Sequence, residues 1–240
     1  MNIIILMAGP SKDFEEKGHS YPKYLLEIDG EPIIQKVIES VKPLGAKLSF
    51  VIRKEDNDSA YVASTLKILS PDCSIYQVSN LTKGAACSAL FAIDAIKNDE
   101  ELLIVNGDQL IKKGIVDGVD SFRTRGLDGG VICFNSVHPR WSYVAVDEKG
   151  LVCETSEKRP ISSMATAGCY YFKHGEDFVN AAFNTIRKDV NYKSNYYVCS
   201  TYNELILNQK QVGVHMIDKK SYVSFATPQL YENYLSHKKD

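Results

Sequence analysis

Ile3-Ile4-Ile5-Leu6-Met7-Ala8, closed by Gly9-Pro10, is the stretch whose reading decides the fold. A continuous apolar run rich in β-branched residues and bounded by Gly and Pro fits a central parallel strand covered on both faces. The run is too short to cross a bilayer, and no basic region precedes it, so it reads as a buried strand and not as a signal peptide. A polar loop follows, from Gly9 to about Tyr21.

Working outward, Pro32 opens a helix in which Ile33, Ile34, Val37, Ile38 and Val41 fall at helical spacing, with the proline in the first turn. Residues 48–52 read as a second strand, 56–69 as a helix, 73–78 as a third strand and 84–96 as an Ala-rich helix. A fourth strand, 102–105, ends at Asn106-Gly107-Asp108. Strands alternating with helices predict right-handed crossovers and an α/β fold: a Rossmann-like mixed, mostly parallel sheet flanked by helices. In such sheets ligands bind at the carboxyl ends of the strands. Three loops are therefore candidates: the one after Ala8, the one around Thr82-Lys83-Gly84, and Asn106-Gly107-Asp108.

The second half changes character. Residues 131–134, 143–146 and 151–155 are short strands, and Asp147-Glu148-Lys149-Gly150 is a turn that makes the last two a hairpin. Another strand covers 166–172, helices 176–187 and 201–208, a late strand 212–217 and a closing helix 228–235. No linker rich in Pro, Gly or Ser separates the halves, so the chain reads as a single domain, 1–240, sharing one sheet.

The chain has 240 residues and a net charge of −2, which gives no basic balance for nucleic acid. Its six cysteines are scattered without a C-x-x-C pair and read as reduced thiols of a cytoplasmic protein. No membrane insertion is expected, and self-association into a homo-oligomer is compatible with these features. The five histidines have no metal-ligand spacing. Neither a Walker A motif nor G-x-G-x-x-G is present.

The loop after the first strand offers small residues, Ala8 and Gly9, where backbone can approach a ligand, and the cations Lys12, Lys17 and Lys23. N–H groups and lysines at a strand end suit a triphosphate. From spacing alone, the loop reads equally well as solvated surface with incidental lysines. Taken alone, Asp108 reads as a plain turn residue, Glu157-Lys158 as an exposed pair and Trp141 as a packing residue.

Several blocks then occur in order: Leu6-Met7-Ala8-Gly9, Pro22-Lys23-Tyr24-Leu25-Leu26, Gly30-Glu31-Pro32-Ile33, Thr82-Lys83-Gly84-Ala85-Ala86, Asn106-Gly107-Asp108-Gln109, Glu157-Lys158 with Ala167-Gly168-Cys169-Tyr170, and Ala226-Thr227-Pro228. Together they resemble bacterial sugar-1-phosphate nucleotidyltransferases across nearly the whole chain. Residues 141–172 resemble the capsule and surface-polysaccharide branch. The resemblance implies the nucleotide-diphospho-sugar transferase fold, with 1–110 as the nucleotide-binding half and 111–240 as the acceptor-binding half. It implies that an acceptor phosphate attacks the α-phosphorus of an NTP, CTP or dTTP being favoured, and that pyrophosphate leaves. The residues implied in catalysis are Lys23, Asp108 and Lys158. Asp108 would hold Mg²⁺, Lys23 the nucleotide phosphates and Lys158 the acceptor phosphate. Ala8, Gly9, Lys12, Gly84, Ala85 and Gly107 would line the nucleotide, with the backbone at 84–85 reading the base. Trp141, Glu157 and Gly168 would line the acceptor, Glu157 accepting from hydroxyls or an amine. The implied partners are an NTP and a small phosphorylated acceptor, either a sugar 1-phosphate or a non-sugar such as phosphocholine or a phosphorylated amino acid.

Two positions depart from the family pattern. Its loop ends in an Arg that grips phosphates; with Phe14 and Gly18 fixing the register, that position is Asp13. An acid facing a triphosphate repels it, leaving the adjacent Lys12 to compensate as a point charge. Many relatives carry a second acidic metal ligand where this chain has Ser224. Three readings stay open: an active nucleotidyltransferase, a degenerate relative that binds nucleotide or a partner without turnover, and a metal-dependent glycosyltransferase. The last is disfavoured because Asn106 stands where a D-x-D motif needs its first carboxylate.

Overall fold

The computed structural model describes residues 1–237. Strand β1 (Asn2–Met7) is buried along its whole length. Its side chains alternate between two cores: Ile3, Ile5 and Met7 face one, Ile4 and Leu6 the other. This two-sided burial is what the uninterrupted apolar run requires, and each fully buried Ile contributes about 1.5–3 kcal/mol.

The loop after β1 contains a short helix α1 (Lys12–Glu16), held by the buried Phe14. A small ribbon, β2 (Glu27–Ile28) and β3 (Glu31–Pro32), turns at Asp29-Gly30, both at positive φ. Helix α2 (Ile33–Val41) follows with Pro32 as its N-cap, one position earlier than a first-turn proline. Then come β4 (Lys47–Arg53), α3 (Lys54–Ala60) and α4 (Val62–Leu69). The helix expected over 56–69 is thus two helices, broken at Tyr61, whose φ of 50° cannot continue a right-handed helix. Strand β5 (Ser74–Val78) and α5 (Ala85–Leu90) precede β6 (Leu102–Asn106) and the short β7 (Gln109–Ile111).

Helix α6 (Ile115–Thr124), which sequence reading passes over, leads to β8 (Gly129–Asn135), β9 (Ser142–Val146), β10 (Val152–Glu157) and β11 (Met164–Phe172). The hairpin turn is as expected: Asp147 Oδ1 accepts from the Lys149 and Leu151 amides, and Gly150 sits at φ 73°. Helices α7 (Gly175–Arg187) and α8 (Val198–Leu207), strands β12 (Val212–Met216) and β13 (Tyr222–Ser224), and α9 (Pro228–Ser236) follow.

The sheet is mixed. β6, β1, β4 and β5 run parallel, as the alternating first half predicts. β11 enters antiparallel beside β6 and carries β8 on its other edge, so both halves share one sheet. Helices α2 and α6 contribute to the core on one face of β1, and α5, α7 and α8 to the core on the other. Among the described residues no helix is long and apolar enough to cross a membrane.

Candidate active site

The parallel register aligns the ends of the strands. Met7 pairs with Ile52 and Leu6 with Asn106, so the Ala8-Gly9 loop and Asn106-Gly107-Asp108 emerge side by side. A cavity of about 480 Å³ opens there. Ala8, Gly9, Lys23 and Tyr24 form one wall, Leu81, Thr82, Gly84 and Ala85 another, and Asp108 the base.

Lys23 lies in a 3₁₀ turn and is buried, its side chain only 6% exposed. Its Nζ donates to Asp108 Oδ2 at 2.7 Å. Burial alone would lower the pKa of this amine, but the Asp108 charge overcomes that and holds it above the usual lysine range. The neighbouring Tyr24 hydroxyl accepts from the Gly9 amide at 3.2 Å and so fixes the loop at its glycine. Burial keeps that phenol protonated well above its ordinary range. The cavity therefore holds one desolvated cation and one carboxylate, already matched, which an incoming anion and its counter-cation can repartition.

Four sequence expectations change here. Lys12 is exposed on α1, pairs with Glu16 at 3.8 Å and does not line the cavity. Gly107 is a packing glycine: a Cβ there would meet Met7 Cγ at 2.7 Å and the Leu6 carbonyl at 2.9 Å. Gly84 lines the cavity at φ 101°, but a Cβ on it would strike the Tyr196 backbone at 2.4 Å, so what forbids a side chain is chain packing. Tyr196 donates its amide to the Lys83 carbonyl and accepts from the Ala86 amide, clamping the turn. Asp13 is exposed on α1 and also lies outside the cavity lining, so the anticipated repulsion is not built into the wall.

A second cavity, of about 510 Å³, adjoins the first. Arg140, Trp141, Glu157, Lys158, Gly168 and Tyr170 are among the residues that line it. Glu157 is buried beside Ser142, whose hydroxyl donates to Oε2, and Lys158 Nζ stands 3.5 Å from Oε1. Burial pushes the Glu157 carboxyl up, while Ser142 and Lys158 oppose the shift. Lys158 is held at φ 56°, and its Nζ donates to the Arg140 carbonyl at 2.5 Å. Trp141 both walls the cavity and packs, edge-on to Phe134 at 5.6 Å and Tyr222 at 5.5 Å. Gly168 sits at a bulge in β11 with φ 68°. A Cβ there would lie 2.0 Å from Gln109 Oε1, so this glycine makes room for a protein side chain.

The two cavities share Ala85, Asn106, Gln109 and Tyr197. Sequence reading gave no role to Asn106, Gln109, Tyr24 or Tyr197. The first three lie inside quoted motifs. Tyr197 comes from a connector without periodicity, where nothing marks it.

Ser224 pairs with Gln109 across β13 and β7, and the Phe225 amide donates to the Asp108 carbonyl. Position 224 is therefore beside Asp108, where a second carboxylate would stand. Among the described residues no group of three His, Cys, Asp or Glu side chains is placed to hold a metal. One carboxylate in a phosphate-sized cavity suits Mg²⁺, which keeps several waters and is commonly held by one or two carboxylates plus substrate phosphates.

The sequence profile of the nucleotidyl transferase family matches residues 3–222. A low-salt glycan biosynthesis nucleotidyltransferase, Agl11 of Haloferax volcanii, is 23% identical over 181 residues. That match covers 72% of this chain and 49% of the relative, so the chain spans about half the length of that protein. A nucleoside-diphosphate-sugar pyrophosphorylase from Vibrio cholerae RC9 superposes with a TM-score of 0.83 at 22% identity, covering 98% of this chain and 100% of that one. An inositol-1-phosphate CTP transferase from T. maritima superposes with a TM-score of 0.76 at 13% identity, covering 95% and 90%. At these identities the two superpositions establish the fold.

Proposed function

This chain belongs to the nucleotidyl transferase family, and from that premise we propose that it joins an NTP, CTP or dTTP being favoured, to a small phosphorylated acceptor with release of pyrophosphate. The observation that carries this reading is the pair of adjoining cavities, one holding Lys23–Asp108 and the other Glu157–Lys158. Two anionic reactants need two sites with separate cations and a common boundary.

In this reading an acceptor phosphate oxygen attacks the α-phosphorus in line. The new P–O bond forms as the bond to the β-phosphate oxygen breaks, and the electron pair leaves with pyrophosphate. The acceptor phosphate is already ionised near neutral pH, so no general base is required. Catalysis is positioning and charge neutralisation. Lys23 takes the nucleotide phosphates, Lys158 the acceptor phosphate, and Glu157 accepts from the acceptor's donors. Asp108 would hold Mg²⁺, which when bound neutralises phosphate charge. The backbone at Gly84 and Ala85 faces the base. Asp13, outside the cavity lining, is no obstacle to triphosphate, which favours turnover over silent binding. The glycan role of the Haloferax relative supports an acceptor such as a sugar 1-phosphate and a place in capsule or surface-polysaccharide precursor synthesis.

Pyrophosphate release with Mg²⁺ tests this, across the four NTPs and dTTP against phosphorylated sugars, polyols, choline and amino acids. Release that depends on one nucleotide and one acceptor is expected. Silence across the panel, from folded protein that still binds a nucleotide, would replace this reading with a non-catalytic binding protein.

A further inference from the structure

A third cavity, of about 450 Å³, adjoins the second. These two have Arg140, Trp141, Ser224, Leu230 and Asn233 in common, whereas no described residue lines both the third cavity and the one that holds Lys23 and Asp108. The three cavities therefore stand in a row, with the second in the middle. Their order fixes how an acceptor can lie. Its reacting phosphate has to meet the nucleotide at the boundary of the first and second cavities. Any part that enters the third is then the end remote from that phosphate.

The lining of the third cavity selects what that end can be. One wall is aromatic: Phe134 stacks on Tyr222 with ring centroids 4.3 Å apart, and Trp141 stands edge-on to both. Arg140 and Lys219 bring positive charge, and no Asp or Glu is among the described lining residues. The Arg140 side chain is oriented by its neighbours. Its Nε donates to His138 Nδ1 at 3.1 Å, and its guanidinium carbon lies 5.6 Å from the centre of the Trp141 ring. Nη1 donates to no described residue. Lys219 opens a 3₁₀ turn, Lys219–Ser221, and the adjacent Asp218 caps that turn by accepting from the Lys220 amide at 2.9 Å. In the other two cavities each lysine faces a carboxylate, Lys23 at Asp108 and Lys158 at Glu157. Arg140 and Lys219 face none among the described residues that line theirs. A cleft lined by charge of one sign concentrates ions of the other, and a guanidinium fork suits carboxylate and phosphate oxygens.

We propose that the third cavity binds a second anionic group of the acceptor, a carboxylate or phosphate at the end remote from the transferred phosphate, through Arg140 and Lys219. This rests on the nucleotidyl-transfer reading for the place of the transferred phosphate. The aromatic wall covers the carbon skeleton that carries the group. A neutral end leaves both cations without a partner, and an ammonium end is repelled by them.

Calorimetry with ligands that differ only at the remote end tests this. Glucose 1-phosphate is compared with glucuronate 1-phosphate and glucose 1,6-bisphosphate, and sorbitol 6-phosphate with 6-phosphogluconate. A charge-assisted hydrogen bond is strong enough that, in at least one set, wild type is expected to bind the ligand with the second anionic group about tenfold or more tightly. Whether carboxylate or phosphate binds better names the group. Arg140→Gln combined with Lys219→Ala should reduce the preference to about twofold or less, and both side chains are exposed, so the fold should be kept. Lys113→Ala combined with Lys220→Ala removes equal charge outside the cavity and should keep the preference. A wild type without preference in any set overturns the proposal. So does a preference that survives the first double variant. Equal loss in both double variants also overturns it, because general attraction to a basic surface then accounts for the effect. If the preference follows Arg140 and Lys219 while pyrophosphate release is silent, the anion site stands and nucleotidyl transfer fails. Turnover of an acceptor neutral at its far end, as fast in the Arg140→Gln, Lys219→Ala variant as in wild type, is the converse.

Discussion

The Lys23–Asp108 pair sets what a substitution at either residue can reveal. Both side chains are largely buried, Lys23 at 6% and Asp108 at 16% exposure. Removing the carboxylate with Asp108→Ala strands a desolvated ammonium, a change that typically costs about 3–5 kcal/mol. Loss of activity in that variant would then confound chemistry with stability. Asp108→Asn keeps an oxygen for Lys23 Nζ and removes the charge a divalent cation needs. It is expected to lower turnover by about 10³-fold or more while the melting temperature falls far less than in Asp108→Ala. Equal activity in Asp108→Asn and wild type would remove Asp108 from the reaction. At Asp13 the opposite holds: exposed and outside both cavity linings, it is expected to change the NTP Michaelis constant by less than about twofold when replaced by Ala. Lys23, Asp108, Glu157 and Lys158 each sit in an ordered block of the sequence, and the fold brings all four to the walls of the two cavities. The blocks could not say why Gly84, Gly107 and Gly168 are glycines. Each is required by a contact with a residue distant in sequence, Tyr196, Met7 or Gln109, which no local pattern encodes.

Single elements carry strain that the linear sequence hides. The periodicity of 56–69 supports one helix, and the break at Tyr61 is not visible in it, because a left-handed residue is usually announced by Gly or Asn and here is an exposed tyrosine. Tyr61→Gly is expected to stabilise the protein by about 0.5–1 kcal/mol in urea denaturation, since glycine adopts that φ without a Cβ clash. Helix α3 also buries Asp56, which is 4% exposed, with Oδ2 lacking a donor and Arg53 3.6 Å from Oδ1. Burial raises its carboxyl to about 6, against the Arg53 charge that lowers it. A folded-state pKa above the unfolded value means the native state binds more protons between pH about 4 and 6, so this group's contribution to stability falls as pH rises through that window. Asp56→Asn is therefore expected to be more stable than wild type at pH 7.5, by at most about 3 kcal/mol, with the advantage gone at pH 4. Denaturation at both pH values decides it; a gain of the same size at pH 4 would mean that ionisation is not the cause.

At the scale of the molecule, the division at about residue 110 is legible in the sequence as a change from alternating helices and strands to hairpins, yet the site crosses it. The cavity that holds Lys23 and Asp108 takes Asn195 and Tyr197 from the second half, and the other takes Ala85, Asn106 and Gln109 from the first. The first crossing follows from the backbone bonds of Tyr196 to Lys83 and Ala86, and the second from the insertion of β11 antiparallel beside β6, which brings the bulge at Gly168 against the ends of the parallel strands. The cations remain segregated: Lys23 lines the first cavity alone and Lys158 the second alone. A charge-assisted hydrogen bond to a phosphate is worth about 1.5–3 kcal/mol, or about 10–100-fold in affinity. Lys158→Ala is therefore expected to raise the acceptor Michaelis constant by about 10–100-fold. In the same variant the calorimetric dissociation constant of the nucleotide chosen by the pyrophosphate panel should stay within about twofold, because Lys158 lies outside its cavity. Lys23→Met, which removes the charge but keeps the apolar stem, should do the reverse, weakening the nucleotide and sparing the acceptor. If Lys158→Ala weakened the nucleotide as much as the acceptor, the two cavities would act as one continuous site, and the separation of roles between them would have to be abandoned.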